Sequence, residues 1–363
     1  MTFSALARPL LHRICLALGL GFTIGFAAAG PTAAAPRHAY VANLGSDSVS
    51  VIDTTTRTVV GAIPVGGGPG SVVVSPNGAT AYVASALSNT VSFIDTATRT
   101  VIGSVPTEDT PNNIAVSPDG ARVYVTNVNS GSVTVIDTAN RTAFAPIAVG
   151  STPNGVAVSP DGARVYVAVQ AANSVAVINA ATRTVLNSIP VTAPNGVILS
   201  PDGALAYVSS TNGVLSVIDT ATLDVVGTKP GFYAGKIALS PDGARLYAAI
   251  SVSDLVAVID TTSLALIGTI GVGDFPLGVA FSHDGSQAYV TNQNSYNVSV
   301  IDTTTPAVIA TIPVGQLPVS VAFTPAPPPA PAPVPTLSEW AMILLGVALA
   351  GGAAIMIQRD RTA

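Results

Sequence analysis

Three short stretches gather side chains that could hold a polar ligand. Glu108-Asp109 sets two carboxylates side by side, Phe232-Tyr233 with Lys236 combines two rings and a cation, and Asp274-Phe275 pairs one carboxylate with one ring. Three asparagines, Asn112, Asn154 and Asn195, each directly follow a proline, at separations of 42 and 41 residues. Side-chain amides both donate and accept, and exposed rings offer stacking faces, so this set suits a sugar or a peptide. The same residues have plainer uses, asparagine capping turns and rings plugging a channel. Both readings stay open.

Catalysis would need one asymmetric constellation, and the sequence offers none. His283 is the only histidine after residue 38, and it replaces proline in Ser282-His283-Asp284-Gly285 without a recognisable partner. No Ser/His/Asp grouping, no histidine cluster at metal-ligand spacing and no phosphate-cradling glycine loop occurs. The expectation is a non-enzyme with no catalytic residues, no metal and no cofactor. Residues 36–324 carry 10 basic and 17 acidic side chains, a balance of −7. Nucleic acid, which needs a clustered basic surface, is not an expected partner. The single cysteine, Cys15, lies in an N-terminal apolar run, so no disulfide is expected in the exported chain.

The elements that must position these residues come from a repeat. Ser117-Pro118-Asp119-Gly120-Ala121-Arg122-Val123-Tyr124-Val125-Thr126-Asn127 has close copies around Tyr40, Tyr82, Tyr166, Tyr207, Tyr247 and Tyr289, spaced 42, 42, 42, 41, 40 and 42 residues apart. Each unit holds four alternating, β-branched runs separated by turn residues, which read as strands. A period of about 40–45 residues with four strands per unit is the signature of a propeller blade. Asp53, Asp95, Asp137, Asp219, Asp260 and Asp302 recur in Ile-Asp-Thr, where a carboxylate can bond neighbouring backbone N–H groups, a structural use. The array starts on a tyrosine strand and ends on the short run Val319–Phe323, so the last strand can complete the first blade. The expected fold is all-β: a seven-bladed β-propeller of four-stranded blades with a three-plus-one closure, over residues 36–324.

The two ends carry an address. Residues 1–35 have a weakly basic start, an apolar run over 14–26 and small-residue cleavage sites, the three parts of a Sec-type signal peptide. An uncleaved anchor is the alternative. Residues 325–333 are a Pro/Ala-rich spacer, extended at about 3 Å per residue. Residues 334–363 hold a short motif, an uncharged apolar run over 341–357 and a tail with Arg359 and Arg361. With Trp340 at the interface, about 18 residues make ~27 Å of helix, the short end for a membrane span. Arginines on the cytoplasmic side would leave the propeller outside.

Tyr124-Val125-Thr126-Asn127 and Tyr289-Val290-Thr291-Asn292, with the Ser-Pro-Asp-Gly turn and the Ile-Asp-Thr element, resemble the YVTN family of β-propellers over residues 38–324. Val334-Pro335-Thr336-Leu337-Ser338-Glu339-Trp340, followed by helix and basic tail, resembles the IPTL-type C-terminal sorting domain of Gram-negative bacteria, with Val334 where isoleucine is usual. The first resemblance implies that the short strand is innermost and that ligands sit at the channel mouth. The loops before it, at 106–113, 150–154, 192–195, 230–236 and 273–277, hold Glu108, Asp109, Asn112, Asn154, Asn195, Phe232, Tyr233, Lys236, Asp274 and Phe275. The connections after the tyrosine strands add Asn127 and Asn292 to that face. The second resemblance implies an exosortase-like sorting enzyme as partner, with the helix a temporary or permanent membrane anchor. Together they point to an exported module at the outer cell surface or released from it, binding an envelope glycan or protein. Two alternatives stay open, a periplasmic enzyme of lactonase type and a matrix component without a specific ligand.

Overall fold

The computed structural model describes residues 37–325, and every regular element among them is a β-strand. The expected signal peptide over 1–35, the spacer beyond Pro325, and the sorting motif with its apolar helix and basic tail at 334–363 lie outside the described residues. The strands form seven sheets. From the inside outward, blade 1 runs Pro318–Phe323, His38–Asn43, Ser48–Asp53 and Thr58–Pro64. Blade 2 runs Pro69–Val74, Thr80–Ser85, Thr90–Asp95 and Thr100–Pro106. Blades 3 to 7 start from the inner strands Pro111–Val116, Pro153–Val158, Pro194–Leu199, Ile237–Leu239 and Pro276–Phe281. Neighbouring inner strands touch in this order, and Pro318–Phe323 lies between the inner strands of blades 7 and 2, which closes the ring.

The closure is the expected three-plus-one arrangement. Ala39, Tyr40, Val41 and Ala42 pair antiparallel with Phe323, Ala322, Val321 and Ser320. His38 N donates to Thr324 Oγ1 at 3.1 Å, and Thr324 N donates to His38 O at 2.9 Å. The closing strand completes blade 1, and the ring turns the short inner edges of all seven sheets toward the channel, where another chain cannot readily pair with them.

Alternation explains why these strands need neighbours on both sides. Tyr40, Ala42, Val49 and Val51 pack on Val72, Val83 and Ile94 of blade 2. Ala39, Val41 and Ile52, pointing the other way, pack on Tyr289, Val298 and Val300 of blade 7. A period of two sends successive side chains to opposite faces, so every residue of the tyrosine strand enters one inter-blade core. Burial pushes the phenols of Tyr40 and Tyr289 up to about 12. Edge-to-face rings add to this packing at Tyr289–Phe323, 4.9 Å between centroids, and Tyr82–Phe93, 5.0 Å.

The turns do what their residues dictate. Asp119 Oδ1 accepts from Ser117 Oγ and from Ala121 N, and Gly120 sits at φ +72°. That left-handed conformation suits glycine, which has no Cβ to clash. Asp53 Oδ1 accepts from Thr55 N at 2.8 Å and Thr56 N at 3.0 Å, the structural use expected for the Ile-Asp-Thr carboxylates. Arginines clasp adjoining blades: Arg99 Nη1 donates to Val60 O at 3.0 Å and Arg141 Nη1 to Ile102 O at 2.6 Å.

Two blades depart from the repeat. The outer strand of blade 3 breaks into Thr142–Ala143 and Ile147–Ala148, because the intervening Ala145-Pro146 lacks one N–H for the ladder. Phe144 fills the break beneath the Arg183 guanidinium, 4.1 Å from the ring centroid. The inner strand of blade 6 shrinks to Ile237–Leu239, where Ala234 replaces the usual leading proline. Inner strands run from the proline end to the Pro-Asp-Gly turns, and the tyrosine strands run back. Residues 37–38 and 324–325 therefore leave the ring on the turn face, opposite the proline ends.

Deleting residues 317–324 should remove most of the cooperative thermal transition; an unchanged melting curve would mean that the ring does not depend on the closing strand. Acid should also loosen the turns. Asp53, Asp95, Asp219 and Asp260 are held below the usual carboxylate range mainly by backbone N–H groups, and Asp302 mainly by the Thr304 hydroxyl. Asp119, Asp161, Asp202, Asp242 and Asp284 are held down mainly by serine hydroxyls. Their folded pKa values lie below the unfolded ones, so their stabilisation is full above the unfolded value and is lost as pH falls through the folded value. Thermal midpoints should be level between pH 7 and 5 and fall below about pH 4. Equal midpoints at pH 7 and pH 3 would remove the carboxylates from the stability of the turns.

Candidate functional site

Seven inner strands present their first residues to one end of the central channel. The position after the leading proline, or after Ala234 in blade 6, is Gly70, Asn112, Asn154, Asn195, Gly235, Leu277 or Val319, and the next is Ser71, Asn113, Gly155, Gly196, Lys236, Gly278 or Ser320. Most of these residues line a cavity of about 380 Å³ at the channel mouth.

Small residues are needed because the strands come very close. A Cβ on Gly155 would lie 2.8 Å from Asn195 O, Gly196 Cα and Val197 N, all backbone atoms of the next blade. A Cβ on Gly278 would lie 2.9 Å from Val319 O. Glycine at these points lets backbone meet backbone.

The asparagines form a directed chain. Asn112 Nδ2 and Asn113 Nδ2 donate to Asn154 Oδ1 at 2.8 and 2.7 Å. Asn154 Nδ2 donates to Asn195 Oδ1, and Asn195 Nδ2 donates to Gly235 O at 3.2 Å. Thr126 Oγ1 holds the Asn154 carbonyl at 2.7 Å. The chain links blades 3, 4, 5 and 6 along one wall, and all four side chains remain half-buried.

Lys236 continues that wall and reaches across the channel. Its Nζ lies 3.5 Å from Ser71 Oγ on blade 2, and Ser71 Oγ lies 3.5 Å from Ser320 Oγ. The side chain meets solvent only in part and is otherwise enclosed by protein, and burial lowers its pKa to about 8. The other residues lining the cavity carry no titratable side chain.

The candidate residues therefore divide into three groups. Asn112, Asn154, Asn195 and Lys236 come together in the cavity. Glu108, Asp109, Asp274, Phe275 and Tyr233 sit exposed on the rim and do not line it. Asp274 and Asp109 are tied into the rim by their backbone N–H groups, which donate to Ser295 Oγ and Ser130 Oγ, both at 2.8 Å. Phe232 is only 6% exposed and packs with Leu215, Val217 and Ile237 between blades 5 and 6, so it offers no free stacking face. Asn127 and Asn292, expected on the polar face, are fully buried and donate to Thr134 Oγ1 and Ser299 Oγ at 2.9 Å. Sequence reasoning missed Asn113, Ser71 and Ser320. Aligning the seven copies at the second residue after the leading proline would have found them.

Comparison with known proteins fits the seven-bladed fold. Residues 31–198 and 203–307 match the family described as lactonase, 7-bladed beta-propeller. The chain belongs to that family. Residues 332–359 match the IPTL-CTERM motif. No curated protein matches the sequence. Among solved structures, hydrazine synthase of Kuenenia stuttgartiensis is similar at 25% identity and TM-score 0.67, covering 73% of this chain and 92% of that one. A protein of unknown function from Desulfotomaculum acetoxidans has TM-score 0.72 at 15% identity, covering 79% and 99%. A protein from Bacteroides uniformis assigned as a 6-phosphogluconolactonase has TM-score 0.68 at 20% identity, covering 80% and 100%. At these last two identities the likeness is one of fold.

Close approach at the channel makes a testable contrast between two glycines. Gly155→Ala should destabilise the protein by about 1–3 kcal/mol, the usual cost of overpacking. Gly268→Ala, where nothing lies within 4 Å of the added Cβ, should leave the thermal midpoint unchanged. Equal midpoints for the two variants would mean that the inner strands have room to spare.

Proposed function

We propose that this protein is an exported propeller, directed to the cell surface by its C-terminal sorting motif, that works as a non-catalytic binding module through its channel mouth. The observation that carries this reading is the asymmetric wall of the mouth, four amides and one lysine set into an otherwise repeated ring. The match of residues 332–359 to IPTL-CTERM supports a sorting signal. An exosortase-like enzyme is the partner this implies, and the apolar segment beyond the motif is its membrane-embedded handle before processing. The chain leaves the ring on the face opposite the mouth, so attachment at that end leaves the mouth accessible.

Family membership favours a second reading, a lactonase-type enzyme. Opening a lactone calls for a group that activates water beside the carbonyl. Lys236 is the single titratable side chain among the described residues lining the mouth.

Fractionation of the native host with intact-mass measurement tests the first reading. The mature protein is expected at the outer surface or in the medium, lacking the segment that follows the sorting motif. A full C-terminus retained in the inner membrane would sink the sorting claim. Incubation of the purified protein with a sugar δ-lactone is expected to give no rate above the spontaneous one. Catalysed opening that disappears in Lys236→Met would replace the binding reading with the enzymatic one.

A further inference from the structure

Among the described residues, the lysine in the channel has no counter-charge. Its ammonium carries three N–H donors, and the contact found for it is one long approach to Ser71 Oγ at 3.5 Å. Among the described residues, no carboxylate lines the cavity. Enclosing a cation costs free energy unless an opposite charge meets it. At the same position the other blades carry serine, asparagine or glycine, so the repeat itself does not require a lysine there.

The amide wall has spare hydrogen-bonding capacity. Asn112, Asn113, Asn154 and Asn195 each commit one Nδ2 proton to the amide chain and keep a second. Ser320, which lines the cavity, adds a hydroxyl on the opposite side, while the Ser71 hydroxyl meets the Lys236 ammonium. A volume of about 380 Å³ is at the small end of the usual range for small-molecule sites, enough for one ring and its substituents.

We propose that the channel mouth binds a small hydroxylated carboxylate the size of one sugar acid, such as the uronic acid end of an acidic glycan. The Lys236 ammonium takes the carboxylate, and the amide chain and Ser320 take the hydroxyls. This assignment rests on the binding-module reading and gives it a ligand class. A charge-assisted hydrogen bond in an enclosed site is the strong contact, and the neutral ones set orientation. Bound anion raises the lysine pKa, so binding is full at neutral pH and weakens as pH rises beyond about 8.

Lys229 and Lys236 are the only lysines in the chain, which permits an internally controlled test. The exported protein, purified in mild detergent, is acetylated with and without sodium glucuronate, glucose or acetate, and each lysine is followed by peptide mass. Glucuronate is expected to slow modification of Lys236 about tenfold, while Lys229 is unaffected and glucose and acetate leave both unchanged. By calorimetry, Lys236→Met should bind glucuronate about 10–100-fold more weakly, and Lys236→Arg should retain most of the affinity. An unchanged thermal midpoint shows that the variants are folded. No glucuronate binding by either method overturns the proposal, as does equal protection by glucose. Equal protection by acetate would leave a bare anion site and overturn the sugar-acid assignment. If the protein fails to reach the surface yet glucuronate binds, only the sorting reading falls. If it reaches the surface and glucuronate does not bind, only the ligand falls.

Discussion

Closing a ring of seven sheets forces the inner strands so near one another that backbone has to fill the gap between them. At Gly155 and Gly278 the next blade's main chain already occupies the space that a Cβ would need. That crowding sets the radius of the channel, and the radius sets which side chains can meet across it. An asparagine reaches its neighbour one blade away. A lysine reaches from blade 6 to blade 2. The site is thus a direct product of ring closure rather than an ornament on a finished scaffold.

Repetition and asymmetry are divided between layers of the blade. The tyrosine strand and the strand beside it are held to one pattern, because both faces are buried and any change is felt by two cores. Inner-strand residues at the mouth have one side open to the channel and tolerate amide, hydroxyl, glycine or ammonium. Outer strands tolerate more, as the broken strand around Pro146 shows. The freedom to vary therefore rises toward the channel mouth and toward the periphery, and it is at the mouth that the variable residues line a cavity.

Most of the fold could be read from residues alone, for a physical reason. Period-two alternation, Pro-Asp-Gly turns and the missing first strand are local or countable features, and each dictates one outcome. The candidate site was legible only in part. Asn112, Asn154 and Asn195 were found because a rigid proline fixes the position that follows it. Phe232 misled because its loop lacks that proline, and an apolar ring beside an open inter-blade core turns inward. Glu108, Asp109, Asp274 and Phe275 were placed on the correct face, but sequence cannot distinguish rim from wall when a loop turns between them. Lys236 stood out in composition, while its reach across the ring depends on a diameter that no single repeat encodes.

The position of Thr324 has a mechanical consequence. The last strand runs from the mouth to the turn face, and its far end is where the chain departs. Tension applied there acts along the strand's own axis. The hydrogen bonds to His38–Asn43 are then loaded together, in shear, instead of being peeled apart one at a time. A propeller joined to its attachment by the strand that locks its ring would resist drag in the geometry that β-pairing withstands best.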